Sequence, residues 1–170
     1  MCSRPSDDQL IARDLISREQ LHTAADYTVM LDHTGFVVSD LAKARRFYDA
    51  IAKALGLGTT DNGPQAFLLG RSAQEPVPYL WIGTLRPSYW AEGSRAGLNQ
   101  NHVAFVAPSK AVVDEFYRAG LEAGGRDNGK PGDRRGGDTY YGAFLLDPDG
   151  NNIEACWRDP AAQKQKSQNQ

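Results

Sequence analysis

The sequence has few cysteines, few histidines and no long hydrophobic run, and each shortage argues against a class of protein. Its 170 residues include only Cys2 and Cys156, so we expect no disulfide framework but reduced thiols in a cytoplasmic protein. No apolar stretch is long enough to span a bilayer, and the polar N-terminus does not resemble a secretory signal. The formal net charge is -2, with acids and bases interspersed, which argues against nucleic-acid binding.

What the chain does contain is the composition of a globular protein, with 41% hydrophobic and 24% charged residues. Its length suits one compact domain or two small fused units. Residues 1–29 form an extension in which a capping pattern from Ser6 predicts a helix, although a natural start at Met30 is an open alternative. The polar residues 161–170 predict a disordered tail, which leaves 30–160 for the folded domain.

An internal repeat organises this folded region. The stretch LDHTGFVVSDLAKARRFYDAIAKALGL, which starts at Leu31, aligns without a gap with QNHVAFVAPSKAVVDEFYRAGLEAGGR, which starts at Gln100. The shift of 69 residues pairs a histidine, a Phe-Tyr dipeptide and a glycine in the two copies: His33 with His102, Phe47 with Phe116, Tyr48 with Tyr117, and Gly56 with Gly125. A repeat of this kind predicts two copies of one structural unit. The Phe-Tyr pairs are interpreted as helix-to-sheet packing.

Both repeats have the pattern of a strand, a helix and further strands. Each opens with a β-branched and aromatic stretch, GFVV or VAFV, which predicts a strand. A helix follows, capped by Ser39 or Asp40 in the first repeat and by Ser109 in the second. Further strand patterns lie at 57–60, 66–70 and 79–84, and then at 140–146 and 151–157. The sequence therefore predicts an α+β fold of two βαβββ repeats, at about 30–98 and 99–158.

The run RDNGKPGDRRGG at 126–137 is rich in glycine and basic residues. It lacks the spacing of a phosphate-binding loop. We interpret it as a mobile loop at the mouth of a cavity. Lys130, Arg134 or Arg135 are candidates there for contact with an anionic substrate.

Two histidines and one glutamate are candidate metal ligands. His33 and His102 occupy the same place in the two repeats, whereas His22 lies in the extension. In the last strand, alternation puts Glu154 on the face opposite Ile153 and Ala155, where a buried carboxylate needs a partner. Two histidines and one carboxylate suit divalent iron, manganese, zinc or nickel. Either histidine alone fits a structural role, and the symmetric placement favours the metal interpretation.

The sequence resembles the vicinal oxygen chelate superfamily, which includes glyoxalase I, bleomycin-resistance proteins and extradiol dioxygenases. The matching stretches are LDHTGFVVSDLAKARRFYDAIAKALGL, NHVAFV and FLLDPDGNNIEA, within about residues 30–158. The resemblance implies a half-open barrel around a cavity, in which His33, His102 and Glu154 hold a divalent metal. It also implies a small-molecule substrate and a possible homodimer, with neither nucleic acid nor membrane as a partner.

The sequence departs from the enzymes of this superfamily at two positions. Trp81 stands where glyoxalase I has a fourth ligand, which argues against that reaction. Phe144 stands where the thiol transferases and dioxygenases have a tyrosine, for which Tyr140 or Tyr141 is a substitute only if its strand is placed differently. The resemblance implies a substrate pocket with aromatic walls, for which the candidates are Trp81, Phe67, Tyr89, Trp90, Tyr140 and Phe144.

Two functions from different classes are consistent with these residues. The first is a metal-dependent enzyme that acts on a small oxygen-bearing metabolite as a lyase, isomerase, thiol transferase or dioxygenase, with the metal as Lewis acid. In this enzyme Glu154 would be a ligand, a general base, or both. The alternative is a metal-free protein that binds and sequesters a drug-like molecule. Retention of three of the four family ligand positions favours the enzyme.

Overall fold

The computed structural model describes residues 31–72, 74, 77–96, 101–134 and 139–162. All of its helices and strands defined below lie in the compact unit that begins at His33. The predicted N-terminal helix, Arg135 and residues 163–170 of the predicted tail lie outside the described residues. In the part of the chain that is described, no helix has the length and hydropathy needed to cross a membrane.

The first repeat folds as one strand, one helix and three further strands. They are β1 (His33–Val37), α1 (Leu41–Leu55), β2 (Gly58–Asp61), β3 (Ala66–Gly70) and β4 (Tyr79–Gly83). Helix α1 begins where the Asp40 side chain accepts a hydrogen bond from the Lys43 amide. It ends at Gly56, whose φ of 71° lies in the left-handed region that glycine adopts without strain.

The second repeat has the same order of elements. They are β5 (His102–Val106), α2 (Lys110–Glu122), β6 (Arg126–Asp133), β7 (Tyr140–Leu146) and β8 (Asn152–Arg158). The Ser109 hydroxyl accepts a hydrogen bond from the Val112 amide and so caps α2. Each predicted strand and helix of the two repeats is therefore present, with bounds within a few residues of those predicted.

The two repeats build two four-stranded sheets of identical topology, β1-β4-β3-β2 and β5-β8-β7-β6. The pairs β1/β4 and β5/β8 are parallel, and all other neighbours are antiparallel. His33 lies opposite Tyr79, and His102 lies opposite Asn152, so both histidines start equivalent strand pairs. The α+β fold of two βαβββ repeats is confirmed, and the two sheets do not close into a barrel.

One hydrophobic core extends through both repeats. Phe47 and Phe116, the equivalent helix residues, are both fully buried in it, as predicted for packing positions. The repeats are also tied by polar contacts, because the buried Tyr48 hydroxyl of α1 donates a 2.8 Å hydrogen bond to Asp147 Oδ2. Asp149, in the same turn, accepts a hydrogen bond from the Ser39 amide that precedes α1. The turn DPDG of the second repeat is thus fixed against the first.

The prediction of a loop at 126–137 is wrong for the residues that the structure describes. Strand β6 occupies Arg126–Asp133 and pairs with β7, with register shifts on both sides of Gly129. Strand β6 is an edge strand, where a proline such as Pro131 removes no hydrogen bond needed by a further neighbour. The glycines and the proline therefore produce an irregular edge strand and not a loop.

Candidate functional site

The second sheet gathers Glu154, His102 and Tyr140 into one polar cluster. Glu154 lies on β8 and is only 3% exposed. Its Oε2 lies 3.2 Å from His102 Nε2, and its Oε1 accepts a short hydrogen bond from the Tyr140 hydroxyl. Burial, followed by the hydrogen bond to Glu154, raises the pKa of Tyr140 to about 12. The phenol therefore keeps its proton at neutral pH and donates a hydrogen bond to the carboxylate.

Two asparagines orient the imidazole of His102. Asn152, its partner on β8, places Nδ2 2.8 Å from His102 Nδ1. Asn128 Nδ2 donates to Asn152 Oδ1 at 3.0 Å and so holds the Asn152 side chain in place. The two asparagines thus fix the orientation of the His102 ring, whose Nε2 faces Glu154. Sequence analysis missed both asparagines, although strand alternation placed Asn152 on the face of Glu154.

Small and aromatic residues shape the space around this cluster. A Cβ on Gly142 would lie 3.1 Å from Glu154 Oε1, so a glycine at this position of β7 leaves room for the carboxylate. The ring of Phe144 lies 6.2 Å from that of His102, and the Arg158 guanidinium lies 4.1 Å from the centre of the Tyr140 ring. The imidazole of His102 is half exposed, so the cluster is reached from solvent on the histidine side.

The first sheet holds a separate pocket with a volume of about 480 Å³. His33 lies in its wall and stacks on Tyr79, with ring centroids 5.0 Å apart. Three further aromatic residues predicted for the substrate pocket line the same space, namely Trp81, Tyr89 and Trp90. Asn101 and Arg86, which sequence analysis did not select, also line it.

Trp81 occupies the position in the first sheet that Glu154 occupies in the second. The residue two places after His33 lies opposite Trp81, and the residue two places after His102 lies opposite Glu154. Two glycines provide the space for the indole, since a Cβ on Gly35 would lie 3.1 Å from Trp81 Cβ and one on Gly83 would lie 2.5 Å from the indole ring. The ring thus lies against the backbone of its own sheet.

The other predicted pocket residues are divided between two places. Tyr140 and Phe144 belong to the cluster of the second sheet. Phe67, in contrast, is fully buried in the core and stacks under the Arg45 guanidinium, so its prediction as a pocket residue is corrected. Its partner on β4 is the core residue Ile82, and Leu68 is the residue opposite Trp81. Strand alternation therefore turns Phe67 to the helix side.

Of the basic residues predicted to meet an anion, Arg134 has structural contacts. Arg134 donates hydrogen bonds to the carbonyl oxygens of Lys130 and Gly142 and lies 4.9 Å from the Phe144 ring centre. It therefore closes the end of the β6–β7 hairpin.

The predicted metal ligands are brought together only in part. The separation of 3.2 Å between His102 Nε2 and Glu154 Oε2 fits two donors on one ion, because ligands about 2.0–2.2 Å from a metal lie about 3 Å apart. His33 lies in the pocket of the first sheet. Within the described residues, no three side chains of histidine, cysteine, aspartate or glutamate form a group that could hold an ion. The pair fits a metal, and the three-ligand set stays a prediction.

Comparison with known proteins places this fold in a family. Residues 30–155 match the model of the Glyoxalase/Bleomycin resistance protein/Dioxygenase superfamily, and the chain belongs to this superfamily. It is 33% identical over 135 residues to the uncharacterized protein YqjT of Bacillus subtilis (strain 168), which covers 73% of this chain and 95% of that protein.

Two solved structures share the architecture. A glyoxalase/bleomycin resistance protein from Albidiferax ferrireducens T118 is 30% identical, with a TM-score of 0.58 over 76% of this chain and 99% of that one. A lactoylglutathione lyase from Agrobacterium tumefaciens has a TM-score of 0.52 over 76% of this chain and 93% of that one. Since its identity is 22%, the second likeness concerns the fold alone.

Proposed function

We propose that this protein is a divalent-metal-dependent enzyme that acts on a small oxygen-bearing metabolite. The observation that carries the proposal is the buried Glu154, which contacts His102 with one oxygen and Tyr140 with the other. Burying a carboxylate costs free energy unless it is paired, and a metal-binding pair of histidine and glutamate explains why it is kept there. His102 and Glu154 would hold the ion, with His33 as the third ligand.

The chemistry of this donor set leaves the metal as iron, manganese, zinc or nickel. A bound ion would supply Lewis-acid stabilisation of negative charge on a substrate oxygen. The protein groups orient the ligands. Asn152 holds the His102 ring in place, and the Tyr140 hydroxyl donates a hydrogen bond to Glu154 Oε1. Glu154 then serves either as a ligand or as the general base.

A second copy of the chain would complete the site. His33 lies with the pocket of the first sheet, whereas His102 and Glu154 lie in the second sheet. Strands β1 and β5 are both edge strands, and Val106 on β5 is 84% exposed. Exposed edges with apolar side chains are a liability that pairing removes. In a homodimer, His33 from one copy would join His102 and Glu154 from the other.

The first experiment is metal analysis of the purified protein beside His102→Ala and Glu154→Ala. We expect one divalent ion per chain in the wild type and a large loss in both variants, with unchanged circular dichroism. His22→Ala, in the N-terminal extension, is the matched control and should bind as the wild type does. A wild type that binds no divalent ion, or variants that bind equally well, would end the metal proposal.

Mixed subunits test the homodimer. His33→Ala and Glu154→Ala should each fail to bind the ion as separate proteins. In a mixed dimer, one of the two sites receives His33 from one copy and both His102 and Glu154 from the other, so about half of the metal should return. If metal binding does not return in a verified mixed dimer, the site is not shared between two copies in this way. Metal-loaded protein can then be screened against dicarbonyl adducts, catechols and epoxide-plus-thiol pairs.

The alternative function, sequestration of a small molecule without chemistry, is favoured by the aromatic pocket around Trp81. Such a pocket binds flat ligands without any need for a metal. A protein that binds an aromatic ligand tightly, retains no metal and converts none of the screened compounds would be a sequestering protein.

A further inference from the structure

The segment that follows β4 folds back on itself through Arg86. Its Nη1 donates a 2.6 Å hydrogen bond to the Ser94 carbonyl oxygen, and its Nη2 donates a 2.7 Å bond to that of Ala91. The guanidinium lies 5.6 Å from the centre of a ring of Trp90. These contacts fix the position of the cation in the wall of the pocket that His33 also lines.

The charge of Arg86 is not neutralised by the contacts that hold it. A guanidinium has five N–H donors, and the two carbonyl bonds use two of them. Neither carbonyl carries a formal charge, and in the described part of the chain no acidic side chain forms an ion pair with Arg86. A fixed cation with free donors beside a cavity is suited to bind a carboxylate.

The remainder of the pocket offers flat aromatic surfaces. Trp81 lies against the backbone at Gly35 and Gly83, so its indole has little freedom to move. Tyr79, Tyr89 and Trp90 add further rings, and the volume of about 480 Å³ lies within the range of pockets for small ligands. Aromatic walls of this kind favour a planar ring by stacking.

From this arrangement we infer that the pocket binds a planar aromatic anion, with its ring against Trp81 and its carboxylate on Arg86. The inference rests on the proposed function in one respect. It names this ligand as the substrate class of the proposed site, to which His33 contributes. Binding itself does not require the metal. The two proposals can therefore fail separately.

The test compares an aromatic acid with its neutral ester on protein stripped of metal. 4-Nitrobenzoate and methyl 4-nitrobenzoate quench tryptophan fluorescence, and a Trp157→Phe background leaves the two pocket tryptophans, Trp81 and Trp90, as reporters. We expect the acid to bind at least about tenfold more tightly than the ester at fixed ionic strength, as one charge-assisted hydrogen bond would produce.

Arg86→Gln separates charge recognition from loop structure. It should lower the affinity for the acid to that for the ester and leave the affinity for the ester unchanged. Arg71→Gln, which removes an exposed arginine outside the pocket, is the control and should retain the preference for the acid. Equal affinities for acid and ester in the wild type, no quenching by either, or an equal loss of both in Arg86→Gln would overturn the inference.

Discussion

The two βαβββ repeats share one backbone plan but differ in the side chains on the open face of each sheet. The second repeat has Asn152 beside His102, with Glu154 two residues further along β8. In the corresponding strand of the first repeat, Tyr79 lies beside His33 and Trp81 takes the place of glutamate. Each histidine is thus held by a different interaction, a hydrogen bond in one repeat and ring stacking in the other. The same scaffold supports a polar cluster in one sheet and an aromatic pocket in the other.

The two helices also differ in the surroundings of equivalent residues. The Tyr48 side chain of α1 is fully buried and donates a hydrogen bond to Asp147, whereas its equivalent Tyr117 of α2 is only partly buried. Identical residues at equivalent positions of the two repeats therefore do not have the same structural role. Variants made in pairs, one in each repeat, measure how far the two have diverged.

The largest loss of stability is expected at Asp147. Its contact with Tyr48 has no equivalent at Tyr117 in the second repeat. Its carboxyl group is fully buried and accepts from the hydroxyl of Tyr48, the side-chain and backbone nitrogens of Asn151, and the amide of Asp149. Asp147→Ala should lower the free energy of unfolding by at least about 3 kcal/mol, since each unsatisfied buried donor costs about 1–3 kcal/mol.

Tyr48→Phe is the matched control for Asp147→Ala. It removes one of these hydrogen bonds, keeps the ring, and should cost about 1 kcal/mol. Tyr117→Phe should cost less still. Urea unfolding measures all three, and an Asp147→Ala loss no larger than that of Tyr48→Phe would refute the importance of this contact between the repeats.

The next effect concerns Gly56 and Gly125, which the repeat aligns. A Cβ on Gly125 would lie 2.5 Å from Phe47 Cε2 and 2.8 Å from the Gly120 carbonyl oxygen. A Cβ on Gly56 would meet nothing within 4 Å, but its φ is +71°. Gly125→Ala should cost about 1–3 kcal/mol through overpacking. At Gly56, strain of about 1–2 kcal/mol is partly offset by the lower entropy of the unfolded chain. Urea unfolding that ranks Gly56→Ala as the more destabilising change would contradict this order.

A third comparison concerns the residues that hold the two histidines. Asn152→Ala removes the hydrogen bond to His102 Nδ1 and should weaken metal binding by about 10–100-fold, the usual effect of losing such an orienting partner. Tyr79→Ala removes the stacking contact with His33 and should weaken metal binding less. Competition with a metal-binding dye measures both affinities. If Tyr79→Ala has the larger effect, the first repeat contributes more to the site than we propose.

Much of this arrangement could be predicted from the sequence because it depends on local patterns. The gapless repeat placed His33 and His102 at equivalent positions, and strand alternation placed Glu154 on the face opposite the core residues Ile153 and Ala155. The correspondence of Trp81 with Glu154, in contrast, follows from the strand register and was not predicted.

The remainder depends on pairing between distant segments, which local patterns do not contain. The face of Phe67 follows from its register with Ile82 on β4. The proline and glycines of β6 predict a loop until it is known that β6 is an edge strand paired with β7. Arg86 gave no signal at all, because its role depends on carbonyl groups that a turn brings back to it.

The effect expected to be smallest at neutral pH concerns two phenols, that of the buried Tyr48 and that of the partly buried Tyr140. Burial, and then the charge of Asp147, raises the pKa of Tyr48 well above 10.0, and burial with the bond to Glu154 raises that of Tyr140 to about 12. Because both phenols keep their protons longer in the folded state, the unfolded state binds fewer protons above pH 10. Their contribution to stability is therefore complete below about pH 10 and is lost as the pH rises from 10 to 12 and beyond.

Urea unfolding between pH 8 and 11.5 should show this decline, which Tyr48→Phe and Tyr140→Phe should each make shallower. Tyr89→Phe removes an exposed phenol and should leave the slope unchanged. Identical slopes in all four proteins would mean that the protonation of neither Tyr48 nor Tyr140 is coupled to folding.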